Sequence, residues 1–254
     1  FADKILANTP KVSQALTKRR LVNFKKVKLI PFGVDTNVFR PVNKILAKQK
    51  LGLPKNHLVV TIVGRIDPEK DHLTFFQAAK IVADQFSNVS FLVVGSELGD
   101  FSKQVSGESK YFRQIQKFLK KQKKLAKKTI FAGFVKNMPK VYAATDILVS
   151  SSQQESFGLV LAEAASCGLA VVATNSGGQS LIVKDNQTGF LVPPKRPDLL
   201  AKKTLILARD PKLRHRFGYE GRKHIIANFN LKNYAKNVEK IYLSLLKTPQ
   251  NQLK

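Results

Sequence analysis

The sequence predicts an α/β protein built around a doubly wound, Rossmann-like parallel sheet. Short β-branched runs alternate with stretches of helical periodicity along most of the chain. Several runs are nearly all apolar, as in residues 58–63, and such runs are typical of strands that helices cover on both faces. A chain of 254 residues, 43% of them hydrophobic, is also long enough and apolar enough to bury a large core.

The strand pattern occurs in eight short runs. Most are rich in valine, isoleucine and leucine, which favour the extended backbone of a sheet. The predicted strands are residues 3–9, 28–31, 58–63, 89–94, 129–132, 147–150, 169–174 and 189–192.

The helix pattern lies between these runs, where apolar residues recur every three or four positions. Asp71 is placed to cap a helix that starts at Leu73, and Pro10 suits the first turn of another. The predicted helices are residues 10–18, 73–86, 110–125, 159–167, 198–208, 213–227 and 231–246, of which 110–125 is strongly basic outside.

The domain organisation follows from where the turns fall. Residues 31–35 are rich in turn formers, and a Pro41-Val42-Asn43 linker follows shortly after. The chain begins at Phe1 rather than Met, so we expect a fragment of a longer protein. Residues 1–41 are expected to be the end of a preceding unit, and residues 42–230 one complete α/β domain.

The composition is strongly basic, with 44 Lys plus Arg against 17 Asp plus Glu and a net charge of +27. Such a chain attracts phosphates in nucleic acid, anionic lipid or nucleotides. The densest run, residues 117–128, holds seven lysines and no acid, and +20 remains without it. The charge is therefore diffuse, and a solvated basic surface explains it as well as a nucleic-acid site does.

Several classes of protein are excluded by what the sequence lacks. A single cysteine, Cys167, excludes an intramolecular disulfide framework and a multi-cysteine zinc site. Four scattered histidines do not predict a metal site, and no apolar run approaches the roughly 18 residues of a spanning helix. No Gly-x-Gly-x-x-Gly, Walker A or Asp-x-Asp pattern is present.

The first segment that could carry chemistry is residues 64–70, directly after a predicted strand. Gly64 allows the backbone to turn, and Arg65 and Lys70 then lie in a loop that enters a helix. Two cations near a helix N-terminus would bind a diphosphate, because the helix dipole has the same sign there. An ordinary loop with solvated charges remains the alternative.

The second segment is residues 155–163, which also follow a predicted strand. Gly158 allows close backbone approach, and the N–H groups of Ser156, Phe157 and Leu159 are free to meet phosphate oxygens. Eight residues of helix span about 12 Å, which is too far for Glu155 and Glu163 to act as one acid–base pair. That spacing suits an extended ligand with hydroxyl groups at both ends. The alternatives are that Glu155 interacts only with the helix dipole and that Glu163 is an ordinary surface residue.

The third segment, Asn175-Ser176-Gly177-Gly178, follows the predicted strand 169–174. It is either another turn that faces phosphate or sugar, or a flexible loop. If a diphosphate binds, Arg65, Lys70 and backbone amides must neutralise it without a metal.

Taken in order, these motifs resemble the family 4 glycosyltransferases, which are retaining enzymes of the GT-B fold. The resemblance rests on Gly64-Arg65-x-x-Pro68-Glu69-Lys70, Glu155-Ser156-Phe157-Gly158 with Glu163, Gly168, Gly177-Gly178, and Gly189-Phe190-Leu191-Val192. Pro31-Phe32-Gly33-Val34-Asp35 resembles the segment between the two domains of that family. The chain departs from the family at Leu181, where a glutamate is frequent, and at Gly168-Leu169-Ala170, where a proline is frequent.

The resemblance implies a donor-binding domain at residues 42–230, with a helix at 231–254 that crosses back onto the preceding domain. It implies that Arg65 and Lys70 hold the leaving diphosphate of a nucleotide-sugar, that Glu155 binds the transferred sugar, and that Glu163 binds the ribose. Gly33, Gly64, Gly177 and Gly178 are included in the expected donor site. No cofactor or metal is implied, and the acceptor is unknown.

From the resemblance we expect a hexosyl transfer in glycolipid or cell-surface glycan synthesis, by a cytoplasmic enzyme in peripheral contact with anionic membrane. The isolated chain is expected to be inactive. Within the class, a sucrose-phosphate-synthase-like enzyme with a soluble sugar-phosphate acceptor is the alternative. Outside it, the alternative is a non-catalytic protein that binds nucleic acid or anionic membrane, and of these two polyanions nucleic acid is the less favoured.

Overall fold

A computed structural model describes residues 2–18, 22–97 and 109–246. Its strands confirm the predicted alternation, and several boundaries agree to the residue. The strands are β1 (Ile5–Ala7), β2 (Val27–Leu29), β3 (Leu58–Val63), β4 (Val89–Val94), β5 (Thr129–Gly133), β6 (Ile147–Ser150), β7 (Ala170–Thr174) and β8 (Gly189–Val192).

The helices include short ones that the sequence pattern did not predict. They are α1 (Pro10–Lys18), α2 (Lys44–Lys50), α3 (His72–Gln85), α4 (Lys110–Lys121), α5 (Lys123–Ala126), α6 (Met138–Ala144), α7 (Leu159–Ser166), α8 (Gln179–Ile182), α9 (Pro197–Arg209), α10 (Pro211–Asn228) and α11 (Leu231–Leu246), with a 3₁₀ turn at Phe24–Lys26.

The predicted helix 110–125 is wrong in one respect, because it breaks at Gln122 into α4 and α5. Gln122 has φ −116° and ψ 62°, outside the helical region, and its N–H donates to Leu119 O instead. The predicted cap at Asp71 is confirmed, since its carboxylate accepts from Thr74 N at 3.2 Å.

The main sheet has six parallel strands in the order β5-β4-β3-β6-β7-β8. The parallel strands confirm the doubly wound fold class that the sequence predicted. The order reverses between β3 and β6, which pair at Val60 with Ile147 and at Thr61 with Leu148. A crevice opens outside the carboxyl ends of these two strands, where such sheets bind ligands.

Helices cover both faces of this sheet, and alternate residues of each strand enter opposite cores. On β6, Ile147 and Val149 pack with α3 and α9, whereas Leu148 packs with α7 and Tyr142 of α6. Burial of the strands on both faces explains why their sequences are largely apolar.

β1 and β2 form a separate two-stranded parallel sheet. After β2, the chain pairs with the backbone just before α11 at an isolated bridge between Val34 and Asn230. There Val34 N donates to Phe229 O at 2.7 Å. Within the described ranges, no helix has the length and apolar character that crossing a membrane requires.

Candidate active site

The loops that follow β3 and β6 meet at the point where the strand order reverses. Lys70, at the end of the first loop, donates to Glu155 of the second, with 2.6 Å between Nζ and Oε2. The two side chains are 25% and 16% exposed, so the pair is partly shielded from water. Sequence analysis assigned both residues to one site, and the structure brings them together.

Hydrogen bonds hold these two loops together. Ser151 Oγ lies 2.9 Å from Lys70 O and 2.8 Å from Asp71 O, and Gln153 N donates to Glu69 O at 2.8 Å. Asp71 Oδ2 also accepts from Gln153 Nε2 at 3.1 Å. The position of Lys70 is therefore fixed from β6 as well as from its own loop.

Arg65 lies at the mouth of the crevice, with its side chain 58% exposed. Its Nη2 is 3.2 Å from Asp67 Oδ2 and 3.9 Å from Glu69 Oε2. Exposed pairs of this kind contribute little to stability, so the guanidinium exchanges partners at low cost.

The start of α7 presents backbone donors beside this pair. Gly158 is the N-cap, with φ +93°, a left-handed conformation that glycine adopts without strain. The first intrahelical bond runs from Leu161 N to Gly158 O at 2.9 Å, so the N–H groups that precede it are the unpaired donors of a helix start. Ser156 and Leu159 are exposed on either side.

Phe157, between them, points the other way and is 2% exposed. Its ring meets Phe32 at 5.5 Å and Phe229 at 5.7 Å between centroids, both edge to face. Phe157 therefore contributes its backbone to this loop while its side chain anchors the loop to the segment that precedes α2 and to the end of α10.

Glu163 lies one turn inside α7 and is half-buried. Its Oε2 accepts a hydrogen bond from Tyr142 Oη at 2.7 Å. Burial raises the pKa of the Glu163 carboxyl, and the Tyr142 hydrogen bond acts in the opposite direction. Burial also raises the pKa of Tyr142 well above its usual value, and the Glu163 carboxylate adds to this. Tyr142 is thus a neutral donor that leaves Glu163 able to accept further hydrogen bonds.

Gly177 and Gly178 lie directly against the Glu155 loop. A Cβ on Gly177 would come within 1.8 Å of Glu155 O, and one on Gly178 within 2.4 Å of Ser156 O. Gly178 N donates to Glu155 O at 2.9 Å, so this N–H already has a partner in the protein. In the structure the two glycines thus position the Glu155 loop by contact.

The remaining predicted glycines lie in two different places. Gly64 is next to the Lys70 side chain, since a Cβ there would be 3.4 Å from Lys70 Cγ. Gly33 packs against the start of α11, where a Cβ would be 2.6 Å from Leu231 Cα.

The crevice has a second wall that the sequence did not predict. Lys11, Val12 and Ala15 of α1 line a cleft of about 470 Å³ together with Arg65, Glu69, Lys70, Gln154, Glu155 and Ser156. The spacing of Lys11 and Ala15, four residues apart on one helix, could have indicated that they share a face, though not what that face meets.

The electrostatics of the cleft come from its Lys and Arg side chains. His72, next to Asp71, is fully buried, and burial lowers its pKa to about 4, so it is neutral at physiological pH. Among the residues that the structure describes, no three His, Cys, Asp or Glu side chains converge as metal ligands would. Lys70, Arg65 and Lys11, together with the amides of α7, are thus the groups of the cleft that can bind an anion.

Comparison with known families decides what this arrangement is. Residues 43–224 match the family model described as glycosyl transferases group 1. The chain belongs to the group 1 glycosyl transferases.

Two curated relatives are similar to this chain in sequence. The chain is 33% identical, over 83% of its length and 46% of the relative's, to D-inositol 3-phosphate glycosyltransferase of Rhodococcus jostii. It is 29% identical, over 90% of its length and 57% of the relative's, to UDP-Gal:alpha-D-GlcNAc-diphosphoundecaprenol alpha-1,3-galactosyltransferase of Escherichia coli. The chain thus spans about half the length of these relatives.

Among solved structures, sucrose-phosphate synthase of Thermosynechococcus elongatus is similar, with a TM-score of 0.82 and 27% identity. The match covers 97% of this chain and 59% of that one. The six-stranded sheet is thus that of a group 1 transferase. The Lys70–Glu155 pair lies in the crevice where the strand order of this sheet reverses.

Proposed function

We propose that this chain is the donor-binding half of a retaining, metal-independent glycosyltransferase of family 4. The observation that carries the proposal is the Lys70–Glu155 pair, which lies at the order reversal of a group 1 transferase sheet. In this role Arg65 and Lys70 bind the leaving diphosphate, and the amides at the start of α7 bind its oxygens. Glu155 binds a hydroxyl of the transferred hexose, and Glu163 binds the ribose.

The chemistry depends on exchange of partners. When the diphosphate enters, Lys70 gives up its hydrogen bond to Glu155 and donates to the phosphate oxygens, which carry more charge. Glu155 then accepts a hydrogen bond from the sugar in place of the one it lost. As the glycosidic bond breaks, negative charge grows on the diphosphate, and fixed cations there stabilise the transition state more than the ground state. The acceptor hydroxyl oxygen bonds to the anomeric carbon on the face that the diphosphate leaves, and its proton passes to a diphosphate oxygen, which gives retention.

The proposed domain organisation explains why the chain spans about half of its relatives. Residues 1–41 are the end of an acceptor domain and the interdomain segment, and residues 42–230 are the donor domain. α11 (Leu231–Leu246) crosses back onto the acceptor domain, and residues 247–254 of the segment predicted to do so lie outside the described residues. The position of Lys11 and Val12 opposite Lys70 supports this, because an acceptor domain must face the donor across a cleft.

For the acceptor we propose a lipid-linked or cell-surface glycan. The name of the Escherichia coli relative, which includes a diphosphoundecaprenol acceptor, supports this. The net charge of +27 supports peripheral contact of a cytoplasmic enzyme with anionic membrane. Transfer to a soluble sugar phosphate is the second candidate, supported by the 27% identity to sucrose-phosphate synthase.

Calorimetric titration of the chain with UDP- and GDP-sugars in the presence of EDTA tests the donor role. We expect saturable binding that Arg65→Ala, Lys70→Ala and Glu163→Ala each weaken about 10- to 100-fold, as loss of a charge-assisted hydrogen bond does. Arg113→Ala, which removes an exposed arginine of α4, is the control and should bind normally.

Binding that all three variants retain would overturn the donor site, and binding that requires a divalent metal would overturn metal independence. Binding to polyanions alone, with a steep salt dependence that Glu163→Ala does not change, would instead favour the non-catalytic alternative.

A further inference from the structure

A second cavity lies at the amino ends of the sheet strands, on the opposite side of the domain from the donor crevice. Its volume is about 500 Å³, within the usual range for small-molecule sites. Asp146 and Ala170, which line it, lie at the amino ends of β6 and β7, whereas the donor crevice lies at the carboxyl ends. The cavity is therefore separate from the donor site.

The lining of this cavity is cationic. Arg40, Lys44, Arg214 and Arg222 line it together with one carboxylate, that of Asp146, which leaves a net charge of +3. Both Asp146 oxygens are already occupied, since Oδ1 accepts from Lys44 at 3.1 Å and Oδ2 from Lys48 at 2.8 Å. The Asp146 carboxylate is thus paired directly with two lysines and with none of the arginines.

The three arginines have no carboxylate within 4 Å among the described residues. Arg214 Nη1 donates to Leu207 O at 2.6 Å, and Arg222 Nη1 donates to the carbonyls of Phe39 and Ser166. These bonds involve one of the three nitrogens of each guanidinium and leave further N–H donors, of which an arginine has five. Burial lowers the pKa of the Arg214 guanidinium, while Asp146 and Asp210 act in the opposite direction.

The floor of the cavity is apolar, formed by Tyr142, Ala143, Leu169 and Ala170. Two half-buried arginines, Arg214 and Arg222, and the exposed Arg40 have no carboxylate in direct contact, which favours an anion, and the floor offers a surface for an uncharged body. A phosphate monoester carries close to two negative charges at neutral pH, which matches the +3 lining better than a single carboxylate does.

We propose that this cavity binds a phosphate monoester, with the phosphate on Arg40 and the free donors of Arg214 and Arg222, and the organic body on the apolar floor. The site joins the segment after Phe39 to α10, because Arg40 lies in that segment and Arg214 and Arg222 in α10. The ligand is either a free metabolite or the headgroup of a lipid such as phosphatidic acid.

Binding of phenyl phosphate, followed by backbone amide NMR shifts of the chain, tests this site. We expect saturable shifts at Gly168, Gly218 and Lys44, and about tenfold weaker binding in Arg40→Ala, with partial recovery in Arg40→Lys. Arg40 is exposed, so its replacement should leave the melting temperature unchanged. Arg113→Ala is the matched control, and Arg65→Ala, which weakens the donor site, should bind phenyl phosphate normally.

The source of the phosphate is decided by a second arm with vesicles of phosphatidylcholine, with and without phosphatidic acid. Vesicle binding that Arg40→Ala weakens assigns the site to a lipid headgroup, and phenyl phosphate binding without it assigns the site to a metabolite. Loss of phenyl phosphate binding in Arg65→Ala but not in Arg40→Ala, or no saturable shift at the cavity, would overturn the proposal while leaving the donor site untouched.

Discussion

Replacement of Gly177 by alanine tests whether the Glu155 loop is positioned by contact. Gly177 has φ +68°, and a Cβ built on it lies 1.8 Å from Glu155 O. Real Cβ atoms stay at least 3.0 Å from such an oxygen, so the two backbones must separate by at least about 1.2 Å. A misplacement of about 1 Å near reacting groups costs about 100-fold in function.

The size of the effect on stability has two parts. A left-handed alanine costs about 1 kcal/mol, and the overpacking adds about 1–3 kcal/mol. Gly52 provides the matched control, because it has φ +67° but nothing within 4 Å of its Cβ position. Gly52→Ala therefore carries the backbone strain without the clash.

The assay is thermal unfolding of both variants, followed by titration with the nucleotide-sugar that the wild-type chain binds. Gly52→Ala should lower the melting temperature by about 2–4 °C and leave donor affinity unchanged. Gly177→Ala should lower the melting temperature by about two to four times as much as Gly52→Ala does. It should also weaken donor binding at least about tenfold. Equal melting temperatures for the two variants would refute the contact, and an unchanged affinity in Gly177→Ala would refute its role in the site.

Three further predictions concern the charged groups. Because burial raises the pKa of Glu163, donor affinity should fall on acidification at a higher pH than for an ordinary glutamate, and calorimetry of Glu163→Gln should show a flatter pH profile. Asp146→Ala leaves the buried Lys48 without its carboxylate and should lower the free energy of unfolding in urea by about 3–5 kcal/mol, whereas Asp198→Ala, in an exposed pair, should hardly change it. Glu155→Gln removes the carboxylate that pairs with Lys70, so the nucleoside diphosphate should bind more tightly and its sugar derivative more weakly. If the affinity for both ligands falls in parallel, the result argues against partner exchange.

The strands of the main sheet were predictable because each has a continuous apolar run bounded by polar or turn-forming residues. β3, β4, β6 and β8 agree with the prediction to the residue. α6 was missed because it has only seven residues and four of them, from Val141 to Ala144, are buried, so it shows no amphipathic period. The break at Gln122 was missed because lysines on both sides continue the basic pattern.

The positions of Lys70 and Glu155 after two strands were predictable, but their contact was not. Lys70 and Glu155 lie 85 positions apart, and only the strand order, which sequence periodicity does not give, places β3 beside β6. The same limit applies to Gly178, whose N–H meets Glu155 O across two loops. Lys11 carried no motif, so its position in the cleft depends on packing alone.

The site combines a fixed backbone with exchangeable side chains. Ser151 and Gln153 tie the loops after β3 and β6 together through backbone carbonyls, and Gly178 ties the loop after β7 to Glu155 O in the same way. These bonds do not depend on any ligand. Lys70 and Glu155, in contrast, are partners of each other, and both lose that partner when a diphosphate enters. A ligand that supplies an anion alone leaves Glu155 without its cation, whereas one that also supplies a hydroxyl restores a hydrogen bond to it. In the proposed donor role we therefore expect the pair to favour a diphosphate joined to a sugar over a diphosphate alone, because the fixed backbone keeps both groups within reach of one ligand.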